Sequence, residues 1–244
     1  MLKKLSIVFF LSMLSVMLPL FGADELKQPQ VNSTERVDFA PGGTIRIDGS
    51  YGSLTVEGWD QPAVEITVTK SLRFGGSTTQ DQDQPRLESI KLVTNRTSPT
   101  ELKISTTLAS RHGNWSPPLP STTTNGVGVE YEIHVPRDSR IAIHHGTGMV
   151  TISGVTGDID ASAGRGDIML WLLPGSYSID AKTKLGNVSS DFAGAALSKY
   201  LMGQRFTHVD PAPSQRLYLR MGFGGITIKE IYPESAAPAA ANGK

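Results

Sequence analysis

Residues 141–170 read IAIHHGTGMVTISGVTGDIDASAGRGDIML, and their spacing decides the fold. Apolar and polar residues alternate along Val150-Thr151-Ile152, as they do along Thr44-Ile45-Arg46-Ile47-Asp48 and Tyr131-Glu132-Ile133-His134-Val135. A period of two marks half-buried strands. The first inward aliphatic residues, Ile141, Val150, Ile159 and Ile168, recur every nine residues, and Ile179 and Val188 continue the series at steps of 11 and 9. Before many of them stands a glycine, one variable residue and then the aliphatic, as in Gly148-Met149-Val150, Gly157-Asp158-Ile159 and Gly166-Asp167-Ile168. A glycine at each step supplies the positive φ or the close backbone approach that a tight corner needs.

Outward from this stretch the pattern continues. Gly52-Ser53-Leu54, Gly186-Asn187-Val188 and Gly224-Gly225-Ile226 carry the same motif, and Ile45, Leu54 and Val64 keep nearly the same step. Fixed internal spacing is the mark of a stacked architecture. The chain is expected to be all-β, a single-domain β-solenoid or stacked-strand scaffold with less regular N-terminal strands. An antiparallel sandwich or meander uses the same pattern, and periodicity alone does not separate the two. Either topology puts Val150, Ile152, Ile159, Ile168, Leu170, Val188, Ile226 and Ile228 inside. Burying each contributes about 1.5–3 kcal/mol. The N-terminal segments and the final strand Gly225 to Ile231 are expected to cap the stack, since repeat arrays need protected ends. Only Pro85 to Ser89 and Ala195 to Met202 suggest helix, one to two turns each. Three stretches interrupt the period: Phe74 to Gln84, Leu108 to Gly128 and Phe192 to Ser214.

Composition narrows the function. The chain has 244 residues, no cysteine, and 23 basic against 23 acidic side chains, so its formal net charge is zero. Neutrality argues against nucleic acid as the partner, because neutralising phosphates needs a clustered basic surface. Absent cysteine removes thiol catalysis and cysteine metal sites. At the start, Lys3-Lys4, the apolar run Leu5 to Leu18, Pro19 and the small pair Gly22-Ala23 follow the order of a secretory signal. A membrane anchor is the alternative, but the run is short for a span of about 20 residues. The expected organisation is a signal peptide over 1–23, a polar leader over 24–35, the β domain over 36–232 and a disordered Ala/Pro-rich tail over 233–244. No later run is long enough to span a membrane. The mature chain is expected to be exported, periplasmic or at the cell surface.

The segment VEYEIHVPRDSRIAIHHGTGMVTISGVTGDIDASAGRGDIML resembles the bacterial DUF4097 putative-adhesin family. The matching positions are Val135-Pro136, ending a strand, and then Gly148-Met149-Val150, Gly157-Asp158-Ile159 and Gly166-Asp167-Ile168. Gly224-Gly225-Ile226-Thr227-Ile228 resembles that family's last coil, and Pro85 to Ser105 its helical turn and strand pair. The resemblance spans residues 36 to 232 and implies a β-solenoid-like domain on an exported bacterial protein. It carries no catalytic residues. The Trp115 loop and the Phe192 to Ser214 insertion depart from it.

Candidate chemistry is sparse. His144-His145 are strand neighbours, so their rings point to opposite faces and do not chelate one ion; they are read as a structural pair. Asp158 and Asp160 are two apart, hence on one face, and Asp167 follows nine residues after Asp158. Paired carboxylates suit glycosidic acid/base work when held about 5–9 Å apart, while the plainer reading makes them turn residues bonding their own backbone. Arg165-Gly166-Asp167 spells an integrin-type tripeptide that the repeat itself generates. No nucleophile elbow, phosphate loop or dinucleotide fingerprint is present, so no cofactor is expected. Trp171, alternating with Leu170 and Leu172, should face outward beside Met169, and Trp115 sits in a loop. Exposed aromatics stack on sugars or contact partners unless the insertions cover them. The possible ligand surface is therefore Trp115, Trp171, Met169, Asp158, Asp160 and Asp167. The expected function is a non-enzymatic adhesin-like binding or surface-structural protein of the cell envelope, facing a glycan or another envelope protein. The alternatives are a polysaccharide-active β-helix enzyme and a regulatory accessory of envelope stress.

Overall fold

A strand that keeps strict alternation sends residues nine apart to opposite faces, yet the aliphatic rungs of this chain recur at nine. The computed structural model, which describes residues 30–72, 87, 90–108, 127–199 and 202–231, resolves the conflict at a glycine corner. Strand β8 (Arg140–Ser153) buries Ile141, Ile143 and His145 before the corner and Val150 and Ile152 after it. The phase slips by one residue at Gly146 to Met149, so both halves turn their aliphatic side inward. Gly148 adopts φ +141, and a Cβ there would overlap the carbonyl oxygen of Gly52. Gly166 stands against the carbonyl of Gly148 in the same way, and Gly224 against that of Gly166. The corner glycines form a ladder in which each leaves room for its neighbour's backbone.

Three strands run through the corner: β8, β9 (Ile159–Leu172) and β14 (Gln215–Glu230). Two strand pairs follow the same path with a break at it: β2 (Thr44–Tyr51) with β3 (Ser53–Trp59), and β10 (Tyr177–Leu185) with β11 (Val188–Ser190). The path gives the sheet a first arm and a second arm, and residues of both belong to one hydrophobic core. All neighbours in this central stack are parallel. On the first arm Ile45, Ile141, Ile159, Leu217 and Ile179 stand in one row. On the second, Leu54, Val150, Ile168, Ile226 and Val188 do. Every one of these side chains is buried. The eight residues expected inside are all buried, and the parallel pairing favours stacking over a meander in this part of the molecule.

The flanks are antiparallel. On the second arm β7 (Val127–Pro136) pairs parallel with β3, then antiparallel with β4 (Ala63–Leu72), which pairs with β1 (Gln30–Asp38). On the first arm β6 (Glu101–Leu108) continues from β2 and pairs with β5 (Ile90–Ser98). Val64, expected as a rung, lies in antiparallel β4 and not in the parallel stack.

The order of the stack departs from the expected one at its far end. Coil steps of 18 residues hold from Ile141 to Ile159 and from Val150 to Ile168. The next neighbour of β9, however, is not β10 but β14, offset by 58 residues (Ile159 with Leu217, Ile168 with Ile226). The final strand, expected as a cap, is thus an interior strand of the sheet. The first arm is closed instead by the 192–214 insertion, where β12 (Ala195–Lys199) and β13 (Gly203–Val209) form a hairpin against β10. Ala195 to Lys199, expected to open a helical turn, is strand because cross-strand pairing to β13 satisfies its backbone. Strand β1 begins at Gln30, inside the stretch expected as a leader over 24–35. Eight of its nine side chains are exposed, so an edge strand held by backbone pairing carries no alternation to read. The expected signal peptide, the tail, the 74–84 loop and most of Pro85 to Ser89 lie outside the described residues; Leu87 alone of that last segment is described, and it is buried.

Candidate functional site

Outward residues of the first arm line up as the inward ones do. Arg46, Ala142, Asp160, Tyr218 and Asp180 stand in register on five adjacent strands. Adjacent strands are spaced about 4.8 Å apart, so the row runs about 19 Å across the sheet. Ala142 contributes one methyl between the long Arg46 and the charged Asp160. Its shortness, together with Ser178 and Thr44 nearby, leaves a shallow groove of about 500 Å³ on the sheet. Arg140, Asp158 and Arg216 also line it, and the same three line an adjoining hollow at the strand ends with Asp138 and Ser214.

Ion pairs organise the walls. Asp158 accepts from the Arg216 backbone N–H at 2.9 Å and from its guanidinium at 2.7 and 3.1 Å. Partial burial works to raise the Asp158 pKa, but these bonds and the charges of Arg216 and Arg140 outweigh it and hold the carboxyl below its ordinary range. Asp180 is held down likewise: desolvation opposes, and hydrogen bonds from Arg205 and Arg220 prevail. Arg46 bonds Glu101 at 2.6 Å. The Arg220 guanidinium lies 3.5 Å from the centre of the Tyr218 ring, a cation–π stack. Tyr218 remains 46% exposed. The side chains of Arg140 and Asp160 make no hydrogen bond to another described residue, although the Arg140 charge acts on Asp158. The groove therefore offers one open donor fork, one open carboxylate and an aromatic ring, held in a frame of satisfied ion pairs.

The residues singled out in the sequence fall into separate places. Asp158, just before β9, and Asp160 share the groove. Asp167 lies at the glycine corner and accepts from the Gly225 N–H at 2.8 Å. Arg165 lies over the Phe223 ring at 5.6 Å, so the Arg165-Gly166-Asp167 tripeptide is spread along a paired strand. Met169 and Trp171 face outward on the second arm. Met169 stands between Thr151 and Thr227, and the Lys229 ammonium lies 6.0 Å from the centre of the Trp171 ring. Trp115 lies outside the described residues. His144 is exposed, 3.7 Å from Asp48. His145 is buried at the corner, its Nε2–H donating to the Gly52 carbonyl at 2.8 Å. No group of three metal-ligating side chains occurs among the described residues.

Sequence reading missed Arg140, Arg216, Tyr218 and Arg46. For Arg216 and Tyr218 the signal is the outward half of the alternation in Arg216-Leu217-Tyr218-Leu219-Arg220. Nothing in the chain order places β14 beside β9, so the assembly of these residues into one groove follows only from the topology.

No protein-family model and no curated protein matches the chain. Among solved structures, a putative cell adhesion protein from Clostridium sporogenes is similar over 82% of this chain and 100% of its own, at 14% identity and a TM-score of 0.46. A putative adhesin from Bacteroides fragilis is similar over 83% and 97%, at 9% identity and a TM-score of 0.27. A putative lipid binding protein from Parabacteroides distasonis is similar over 82% and 96%, at 11% identity and a TM-score of 0.23. At these values the likeness carries no argument about what this protein binds.

Proposed function

We propose that the chain is an exported, non-enzymatic binding protein of the bacterial cell envelope, of the adhesin-like DUF4097 kind, and that its first-arm groove meets a glycan or another envelope protein. One observation carries this reading: among the described residues Arg140 and Asp160 make no side-chain hydrogen bond, in a groove whose Asp158, Asp180, Arg46 and Arg216 are each committed to an ion pair. Open polar groups on a rigid sheet are ready to bond a ligand without reorganisation. The signal-like sequence at residues 1–23 supports export. The groove's chemistry supports binding over turnover. A general acid needs a raised pKa, and Asp158 and Asp180 are held down by arginines.

The test is a screen of the purified protein against insoluble and soluble polysaccharides and isolated envelope fractions. Retention without release of reducing sugar is the expected result. Sugar release that disappears in Asp158→Asn or Asp160→Asn would replace binding with hydrolysis.

A further inference from the structure

The groove's charges select among ligand chemistries. Four carboxylates, Asp138, Asp158, Asp160 and Asp180, stand in or beside it, and so do the guanidinium groups of Arg46, Arg140 and Arg216. A polyanion crossing the row meets Asp160 and Asp180, and a polycation meets the arginines. Like charges brought together across an interface cost several kcal/mol by order of magnitude. A hydroxyl both donates and accepts, so a ligand rich in hydroxyls satisfies Asp160 and Arg140 alike without bringing charge. The ring of Tyr218, backed on one face by Arg220 and nearly half exposed, adds an apolar platform of the kind on which a sugar ring stacks. A pyranose ring spans about one strand spacing, so an oligosaccharide laid along the row advances about one strand per ring.

We propose that the groove binds an uncharged, polyhydroxylated glycan lying across strands β2, β8, β9, β14 and β10. One ring stacks on Tyr218, hydroxyls donate to Asp160, and Arg140 donates to ligand oxygens near the strand ends. Ala142 is the clearing through which the chain passes. The assignment rests on the binding reading above and names its ligand class.

Isothermal titration of the full chain with cellohexaose, chitohexaose and the hexamer of galacturonic acid tests it, at 0.15 M and 1 M salt. A neutral hexasaccharide is expected to bind with an affinity that salt leaves within about twofold. Tyr218→Ala is expected to weaken it about tenfold, and Ala142→Trp to abolish it. Thr151→Trp places the same bulk on the outward side of the second arm and leaves the affinity unchanged. Thermal melts of all three variants separate lost binding from lost folding. Preferential, salt-sensitive binding of the galacturonic acid hexamer overturns the uncharged assignment while the binding reading stands. Binding that is indifferent to Ala142→Trp, or no binding of any hexamer by a protein that still adheres to envelope fractions, overturns the groove as a glycan site and leaves the binding reading standing. That reading fails separately, on sugar release.

Discussion

Replacing Gly166 by alanine probes the corner ladder that holds the stack in register. Gly42 is the internal control. It has φ +77, and an added Cβ there meets nothing nearer than Asp138 Oδ2 at 3.9 Å. Gly42→Ala thus costs only the left-handed backbone, about 1–2 kcal/mol, offset by about 0.4–1 kcal/mol from the reduced freedom of the unfolded chain. Gly166→Ala carries a similar backbone cost at φ +122 and also drives a methyl into the carbonyl of Gly148. That carbonyl belongs to β8, which is paired with β9 on both sides of the corner, so relief means prising two strands apart. Overpacking of this kind adds about 1–3 kcal/mol, for a net loss of about 1–5 kcal/mol. In a domain of about 200 residues each kcal/mol moves Tm by about 2–4 °C. Gly42→Ala should therefore lower Tm by no more than about 6 °C, and Gly166→Ala by about 2–20 °C. Circular dichroism melts of both variants beside the parent measure this. A Gly166→Ala melt at or above that of Gly42→Ala would refute the ladder.

Facing, titration and ion pairing give three further tests. Ile168→Asp buries an unpaired charge among the second-arm rungs and should cost more than about 4 kcal/mol, whereas Met169→Asp, facing outward, should stay within about 0.5 kcal/mol in denaturant titrations; equal midpoints would contradict the facing. Burial lowers the pKa of His145, although hydrogen bonds to Gly52 and Thr147 oppose it. The unfolded chain then takes up a proton that the folded one resists. The stabilisation is whole above the ordinary histidine value near 6.5 and declines below it, by up to about 1.4 kcal/mol per pH unit. Melts from pH 8 to 5 should show that decline in the parent and a flatter profile in His145→Gln. Asp180→Asn removes two arginine pairs linking β13 and β14 to β10 and should cost about 1 kcal/mol at neutral pH. Because the Asp180 pKa is depressed, the gap between variant and parent should hold above about pH 4 and narrow in stronger acid.

The inner face of the molecule was legible because aliphatic spacing reports burial directly. Val150, Ile159, Ile168 and Ile226 could be placed inside without knowing which strand lay beside which. Strand order was not legible, for the same physical reason. The corner motif is nearly identical at Gly148, Gly166, Gly186 and Gly224, so any two coils pair in equally good register and local pattern cannot choose between β10 and β14 as the neighbour of β9. Edge strand β1 was missed because exposed side chains leave no period. In the candidate site, Asp158 and Asp160 were read on one face because both lie on one short segment. Arg216 and Tyr218 come from 58 residues further on and join them only through the inserted strand.

That insertion also has a bearing on how the molecule comes into being. Strands β9 and β10 each leave an unsatisfied edge until residues 215–230 arrive to fill the gap between them. On the ribosome or at a translocation pore, the wedge that joins the two halves emerges after nearly everything it must join. Assembly waits on a far-sequence docking event, a slow kind of folding step, and the nascent chain stays open until then.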